Sequence, residues 1–244
     1  MKVKRLLSAV LLLSLSGVAA RGQEGLSEAR DHVRRGNEMY ARAAYESAIF
    51  EYRRVPHEAG EVYARALYNM GVCYYELRRT GEAVAMYRRA VEASGGRYPK
   101  ALYALGVALE DSSQWSESKE VYRRALVASG GDYREARFAV AHYRLGLLAM
   151  REGDYAAAAA LFSEAITRSR RQFPACHNNL GVALALAGRL SMAEREFEVA
   201  LKQSGGAFEE AAHNLRLCRT GLAGGARTQI ASLKVVATIA AISE

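Results

Sequence analysis

The sequence predicts an all-α repeat protein, a solenoid of five units closed by one further helix. Three observations carry that expectation. Five glycines, Gly36, Gly71, Gly106, Gly146 and Gly181, stand 35, 35, 40 and 35 residues apart. Each is followed at fixed distances by the same kinds of residue. Only three prolines occur in 244 residues, so few places forbid a helix, and the abundant Ala, Leu, Arg and Glu are good helix formers. Half of the chain is hydrophobic and a quarter is charged, the balance of a folded soluble protein.

The first twenty residues differ from the rest. Lys2, Lys4 and Arg5 form a positive head, Leu6 to Val18 is an uncharged apolar run, and Val18, Ala19 and Ala20 offer a small-residue cleavage site. This is the plan of a secretory signal peptide. The run is short beside the ~20 residues of a membrane helix, so an uncleaved anchor is the weaker reading. Residues 21–28 are expected to be a short linker. Losing residues 1–20 takes three positive charges from a net +8 and leaves +5. That mild excess, with no basic block interleaved with aromatics, points away from nucleic acid.

The repeat frame then runs from about Ala29 to Thr220. Before the glycine stand Met70, Leu105, Leu145 and Leu180; three residues after it, Met39, Tyr74, Leu109, Ala149 and Leu184. Twelve after it come Ala48, Ala83, Ser118, Ala158 and Ala193; sixteen after it, Tyr52, Tyr87, Tyr122, Phe162 and Phe197. In these residues the chain resembles the tetratricopeptide repeat family, and five copies in register make the resemblance specific. It implies helix–turn–helix units stacked into a right-handed α-solenoid. The glycine is then where the two helices of a unit cross, the small residue of the second helix meets that crossing, and the aromatic is expected to fill the gap towards the next unit. One unit cannot bury its apolar face alone, so neighbours must stack.

The connections fit this frame. Gly60, Gly95, Gly130 and Gly205 follow four of the repeat glycines by 24 residues, where a left-handed residue should end the second helix. Tyr63, Tyr98, Tyr133, Phe173 and Phe208 follow and are expected to pin the next helix. No Gly-Lys-Ser/Thr is present, so these are not phosphate loops. The 40-residue spacing is an insertion, Arg134 to Phe138, expected to lengthen the first helix of the fourth unit. Arg35, where Leu is expected, suits a solvated first face. Glu209 to Thr220 restarts a first helix without a partner and reads as a cap. Residues 222–244, Gly-rich and then apolar from Ile230 to Ile242, admit two readings, a docked helix or a loose end.

Candidate chemistry is sparse. His32, His142 and His177 lie four residues before repeat glycines, but no set of ligands at metal spacing accompanies them, and inter-helix polar packing is expected. Cys73, Cys176 and Cys218 stand too far apart in the frame for a disulfide and are expected to be buried thiols. Adjacent Cys176 and His177 point apart on a helix, so they form no nucleophile pair. Trp115 takes a packing position at the start of a second helix. No catalytic constellation, cofactor motif or small-molecule site emerges.

The inner face of the first helices is more informative. It carries Tyr68, Tyr103, Tyr143 and then Asn178 at one equivalent place, with Asn69, Arg144, Asn179 and Asn214 one residue on. Arg65 and Lys100 stand at the rim. In the family this face lines a peptide groove. Asn can bond a peptide unit through both its oxygen and its nitrogen, and Tyr offers rigid apolar area plus a hydroxyl. The tyrosines either bind a ligand or merely stack between helices. Asn37, Asn69 and Lys100 also match three of the five places of the clamp that holds the acidic terminus of cytosolic heat-shock chaperones. Val33 and Ala104 replace its first Lys and its Arg, which puts that role in doubt. The expected function is a non-catalytic protein- or peptide-binding scaffold in the periplasm or outside the cell; an architectural or self-associating subunit of an envelope complex is the alternative.

Overall fold

A computed structural model describes residues 23–130, 136–169, 172–222 and 232–237. The chain divides into two compact units, the first running to Val121 and the second starting at Tyr122. The described residues contain α-helices and short 3-10 turns and no strand. The expected signal segment, 1–20, lies outside them.

In the first unit, α1 is described over 23–41, so residues 23–28, expected as linker, already belong to the helix. It is followed by α2 (Tyr45–Arg53), a 3-10 turn (His57–Ala59), α3 (Glu61–Glu76), α4 (Thr80–Ala93), α5 (Pro99–Asp111) and the start of α6 (Trp115–Ala128). The second unit continues with α7 (Ala136–Glu152), α8 (Tyr155–Arg168), α9 (Pro174–Leu186), α10 (Leu190–Gln203) and α11 (Glu209–Leu222). These are five helix–turn–helix pairs and the predicted cap. α7 begins ten residues before Gly146, whereas α5 and α9 begin seven before Gly106 and Gly181. The insertion therefore lengthens this helix as expected from Ala136 onwards, and the rest of it lies outside the described residues.

The repeat glycines do mark helix crossings, but the partner is not the one expected. A Cβ on Gly71 would fall 2.5 Å from the Tyr87 ring, one on Gly146 2.6 Å from Phe162, and one on Gly181 2.5 Å from Phe197. The aromatic sixteen residues on thus lies across the glycine of its own unit, and Tyr52 also bonds Asn69 of the next. The small residue four positions earlier is buried beside it: Ala83, Ala158 and Ala193 are fully buried. Where Ser118 replaces Ala, its hydroxyl donates to the Gly106 carbonyl at 2.9 Å, which removes the penalty of burying it. Fully burying an aromatic ring of this kind stabilises by roughly 1.5–3 kcal/mol, so each pair of slots anchors one hairpin.

Turns repeat as faithfully. The residue seven after each repeat glycine has positive φ: Ala43 at 57°, Arg78 at 59°, Ser113 at 57°, Gly153 at 79° and Gly188 at 78°. Only the last two are glycine, the residue that adopts this conformation without steric cost. Asp154 accepts from the Ala157 amide and caps α8. Pro99 and Pro174 open α5 and α9, where the missing N–H leaves no bond unmade. Phe173 is buried at the start of α9, and its amide donates to Gln203 of α10.

Two of the three repeat histidines serve as pins between helices, while His142 meets the Phe138 carbonyl of its own helix at 2.9 Å. His32 of α1 meets Glu51 of α2 at 2.8 Å, and His177 of α9 meets Glu196 of α10 at the same distance. Both carboxylates lie fifteen residues after a repeat glycine. Arg35, expected in water, is only partly exposed and donates to Glu51 at 2.9 Å. Cys73, Cys176 and Cys218 are free and buried.

Candidate functional site

The first unit holds an open groove of about 990 Å³. α1 supplies Asn37; α3 supplies Arg65, Tyr68 and Asn69; α5 supplies Lys100; and Gly95, Arg97 and Tyr98 of the turn before α5 also line it. These residues share a groove because positions six, three and two before a repeat glycine and one after it lie on one face of a 3.6-residue helix. Tyr68 tilts against Tyr87 and Tyr98, with ring centroids 5.8 and 5.4 Å away, and still reaches the groove. Asn69 donates to Asn37 at 3.0 Å, and the Asn37 oxygen also accepts from Tyr52 at 2.8 Å. Arg65, Arg97 and Lys100 make the lining cationic against the single carboxylate of Glu61. Tyr103 is half-buried on α5 and is not part of this lining.

In the second unit the corresponding face is occupied by the chain itself. Residues 232–237 run along it outside any helix from Leu233 on, and alternate residues, Lys234 and Val236, turn their main-chain groups to it as an extended chain does. The Lys234 amide donates to Asn214 Oδ1 at 2.8 Å, and its carbonyl accepts from Asn214 and Asn178 at 2.9 and 3.0 Å. Two residues on, the Val236 amide donates to Asn179 Oδ1 at 2.9 Å. The Val236 carbonyl accepts from Asn179 at 2.8 Å and from the Tyr143 hydroxyl. Asn179 and Asn214 thus each bond both main-chain groups of one residue.

The side chains that hold the segment also hold one another. Asn214 donates to Asn178 at 2.9 Å, Asn178 to Asn179 at 3.2 Å, and Asn179 to the Tyr143 oxygen at 3.0 Å. All three amides are fully buried, and each has both N–H groups and its oxygen engaged. Leaving any of these groups unpaired would cost about 1–3 kcal/mol. Tyr143 is fully buried between Phe162 and Phe173, with centroids 5.6 and 5.1 Å away. Burial pushes its phenol well above the ordinary range, so it keeps the proton it donates.

The two readings of the tyrosines are therefore both realised in this one residue, which packs and also bonds the segment. Arg144 lies beside it on α7, half-buried. Of the sequence-derived residues, Asn37, Arg65, Tyr68, Asn69 and Lys100 share the first unit's groove, while Tyr143, Asn178, Asn179 and Asn214 converge on Lys234 and Val236. The segment at 232–237 is neither the docked helix nor the loose end considered for residues 222–244. His213, whose Nε2 lies 3.3 Å from the Ser232 carbonyl, was also not anticipated. The usable signal was the β-branched pair Val235 and Val236 in an uncharged run, a composition that favours extended backbone.

Among the described residues no cluster of His, Cys, Asp or Glu could hold a metal ion. Burial raises the Cys73 thiol to about 12 and pushes Cys176 and Cys218 upward as well, so none is a ready nucleophile.

Comparison with known proteins agrees with this architecture. The profile described as Tetratricopeptide repeat matches residues 26–101, 77–133, 103–172 and 143–208. No curated protein matches the sequence. Among solved structures, YrrB, described as a TPR protein with an unusual peptide-binding site, is 20% identical with a TM-score of 0.62, over 81% of this chain and 97% of that one. Pseudomonas aeruginosa pilF is 21% identical with a TM-score of 0.60, over 86% and 90%. MamA from Desulfovibrio magneticus RS-1 is 17% identical with a TM-score of 0.60, over 74% and 97%. At such identities the likeness is one of fold.

Proposed function

The chain belongs to the tetratricopeptide repeat family, and we propose on that footing that it is a non-catalytic scaffold which holds extended segments of other proteins in asparagine-lined grooves, outside the cytoplasm. One observation carries the binding reading: Asn179 and Asn214 each grip the amide and the carbonyl of a residue in an extended segment. Main-chain capture of this kind needs no particular side chain on the ligand, and the pockets beside it supply selectivity. In the first unit's groove Tyr68 and Asn69 stand at the repeat positions of Tyr143 and Asn179, with a cationic rim that suits an acidic segment. The peptide-binding site in the printed description of YrrB is in keeping with this reading.

Export rests on the charged head and apolar run of residues 1–20. The protein recovered from cells should begin near Arg21, and an intact Met1 would contradict that part. The binding part is tested by capturing the partner from envelope extract and titrating it against variants of the first groove. Asn69→Ala should weaken it by about tenfold or more, a loss of about 1.4 kcal/mol, with an unchanged melting temperature. A partner that binds Asn69→Ala and Tyr68→Ala as it binds the native chain would place the ligand surface elsewhere. Self-association is the second reading. It is favoured by residues 232–237, whose contacts could form equally between two copies; mass rising with concentration in light scattering would support it.

A further inference from the structure

The second unit's groove has its acceptors and donors matched by the chain's own residues 232–237. We infer that this segment is a displaceable resident ligand, so that the groove takes a partner only in competition with it. The inference rests on the peptide-binding reading above and specifies the partner for this groove: a segment held by its main chain, with apolar side chains three residues apart and no acidic residue at the first of them.

The resident defines that chemistry. Lys234 and Val236 are held through main-chain atoms alone. The Lys234 and Val235 side chains are exposed, so the places they occupy select for little. Leu233 packs against the second unit's core, and Val236 is half-buried. Proline is excluded at the places of Lys234 and Val236, because each supplies an N–H to an asparagine oxygen. Aspartate or glutamate at the place of Leu233 would bury a charge without a partner.

Tethering sets the threshold. Nine residues, 223–231, join the end of α11 to the segment. A connection this short typically gives an effective concentration on the order of millimolar. A free segment of equal intrinsic affinity therefore meets an occupied site until it approaches that concentration. A partner gains entry by binding more tightly, or by binding elsewhere on the chain at the same time.

The test uses the full chain and a fluorescently labelled, end-blocked peptide of residues 232–237, followed by anisotropy. In Lys234→Pro/Val236→Pro both amide donors are lost and the groove itself is untouched. This variant should bind the peptide at least about tenfold more tightly than the native chain, with its helical circular dichroism retained and a lower melting temperature that added peptide restores. Adding Asn179→Ala should abolish that binding. Equal binding to the native chain and the proline variant would overturn self-occupancy while leaving a peptide groove in place. Binding to neither would overturn the inference, and the titration of the first groove with its captured partner would still judge the broader function independently. A proline variant that loses helix would show the segment to be an integral part of the fold, and would overturn the inference too.

Discussion

Replacing Gly181 with alanine should destabilise the second unit, although alanine is the better helix former. The added Cβ would lie 2.5, 2.8 and 2.9 Å from three carbons of the Phe197 ring. Comfortable carbon–carbon contact is about 3.5–4.0 Å, so α9 and α10 would have to part by roughly 1 Å. The ring cannot swing away, because Phe197 is fully buried. Overpacking of this kind costs about 1–3 kcal/mol, and a clash with three atoms belongs at the upper end, about 3 kcal/mol. The gain in helix propensity offsets about 1 kcal/mol, leaving a net loss of about 2 kcal/mol, or roughly 8 °C in melting temperature for a unit of this size. Gly81→Ala is the internal control. Gly81 lies in α4 with nothing near its missing Cβ, so alanine there should stabilise by up to about 1 kcal/mol. Both are read by calorimetry. A Gly181→Ala protein that melts as high as Gly81→Ala would refute the crossing as the reason for the repeat glycine.

Three further outcomes are expected. Gly188 sits at a φ of 78°, so Gly188→Ala should lower stability by about 1 kcal/mol, while Ala43→Gly in the equivalent turn should raise it by a similar or smaller amount; chemical denaturation checks both signs. The Glu51 carboxyl is held below its ordinary range first by His32 and then by Arg35. Its contribution is therefore present above the unfolded value and is lost as pH falls through the lower folded one. Burial holds His142 below its ordinary 6.5, so below that pH the unfolded chain gains the proton first and stability falls. His142→Gln should flatten the stability profile as pH drops from neutrality through the histidine range, and Glu51→Gln should flatten it further down, near the carboxylate range. Thiol titration without reductant should find three reactive cysteines in denaturant and slow reaction in the native state; fewer than three in denaturant would mean a bond that the fold does not contain.

What could be read from the sequence and what could not divide along physical lines. The helix pairs, the cap beginning at Glu209 and the glycines between pairs, Gly60, Gly95, Gly130 and Gly205 with φ of 57°, 62°, 60° and 62°, were legible because each follows from period and local backbone preference. The crossing partner of the repeat glycine was not, since spacing shows that an aromatic recurs sixteen residues on but not which neighbour its ring covers. His32 and His177 were legible as polar residues packed between helices, but their partners Glu51 and Glu196 were not, because the pairing is a property of how the two helices face. Asn178, Asn179 and Asn214 were picked out by their common face, and yet their occupant lies some 20 to 57 residues further along the chain. No local rule couples an apolar tail to a distant groove. Only packing shows that the tail's main-chain groups match the donors and acceptors that three amides present to it.

The central claim, that these asparagines hold extended main chain, is tested most directly by amide hydrogen exchange at single-residue resolution on the full chain. Lys234 and Val236 donate to buried oxygens and should exchange slowly, by at least about tenfold relative to an unstructured peptide. Asn179→Ala should release Val236 while α9 stays protected, and Asn214→Ala should release Lys234. Exchange of both amides at unstructured rates in the native chain, or protection that survives both substitutions, would contradict the account.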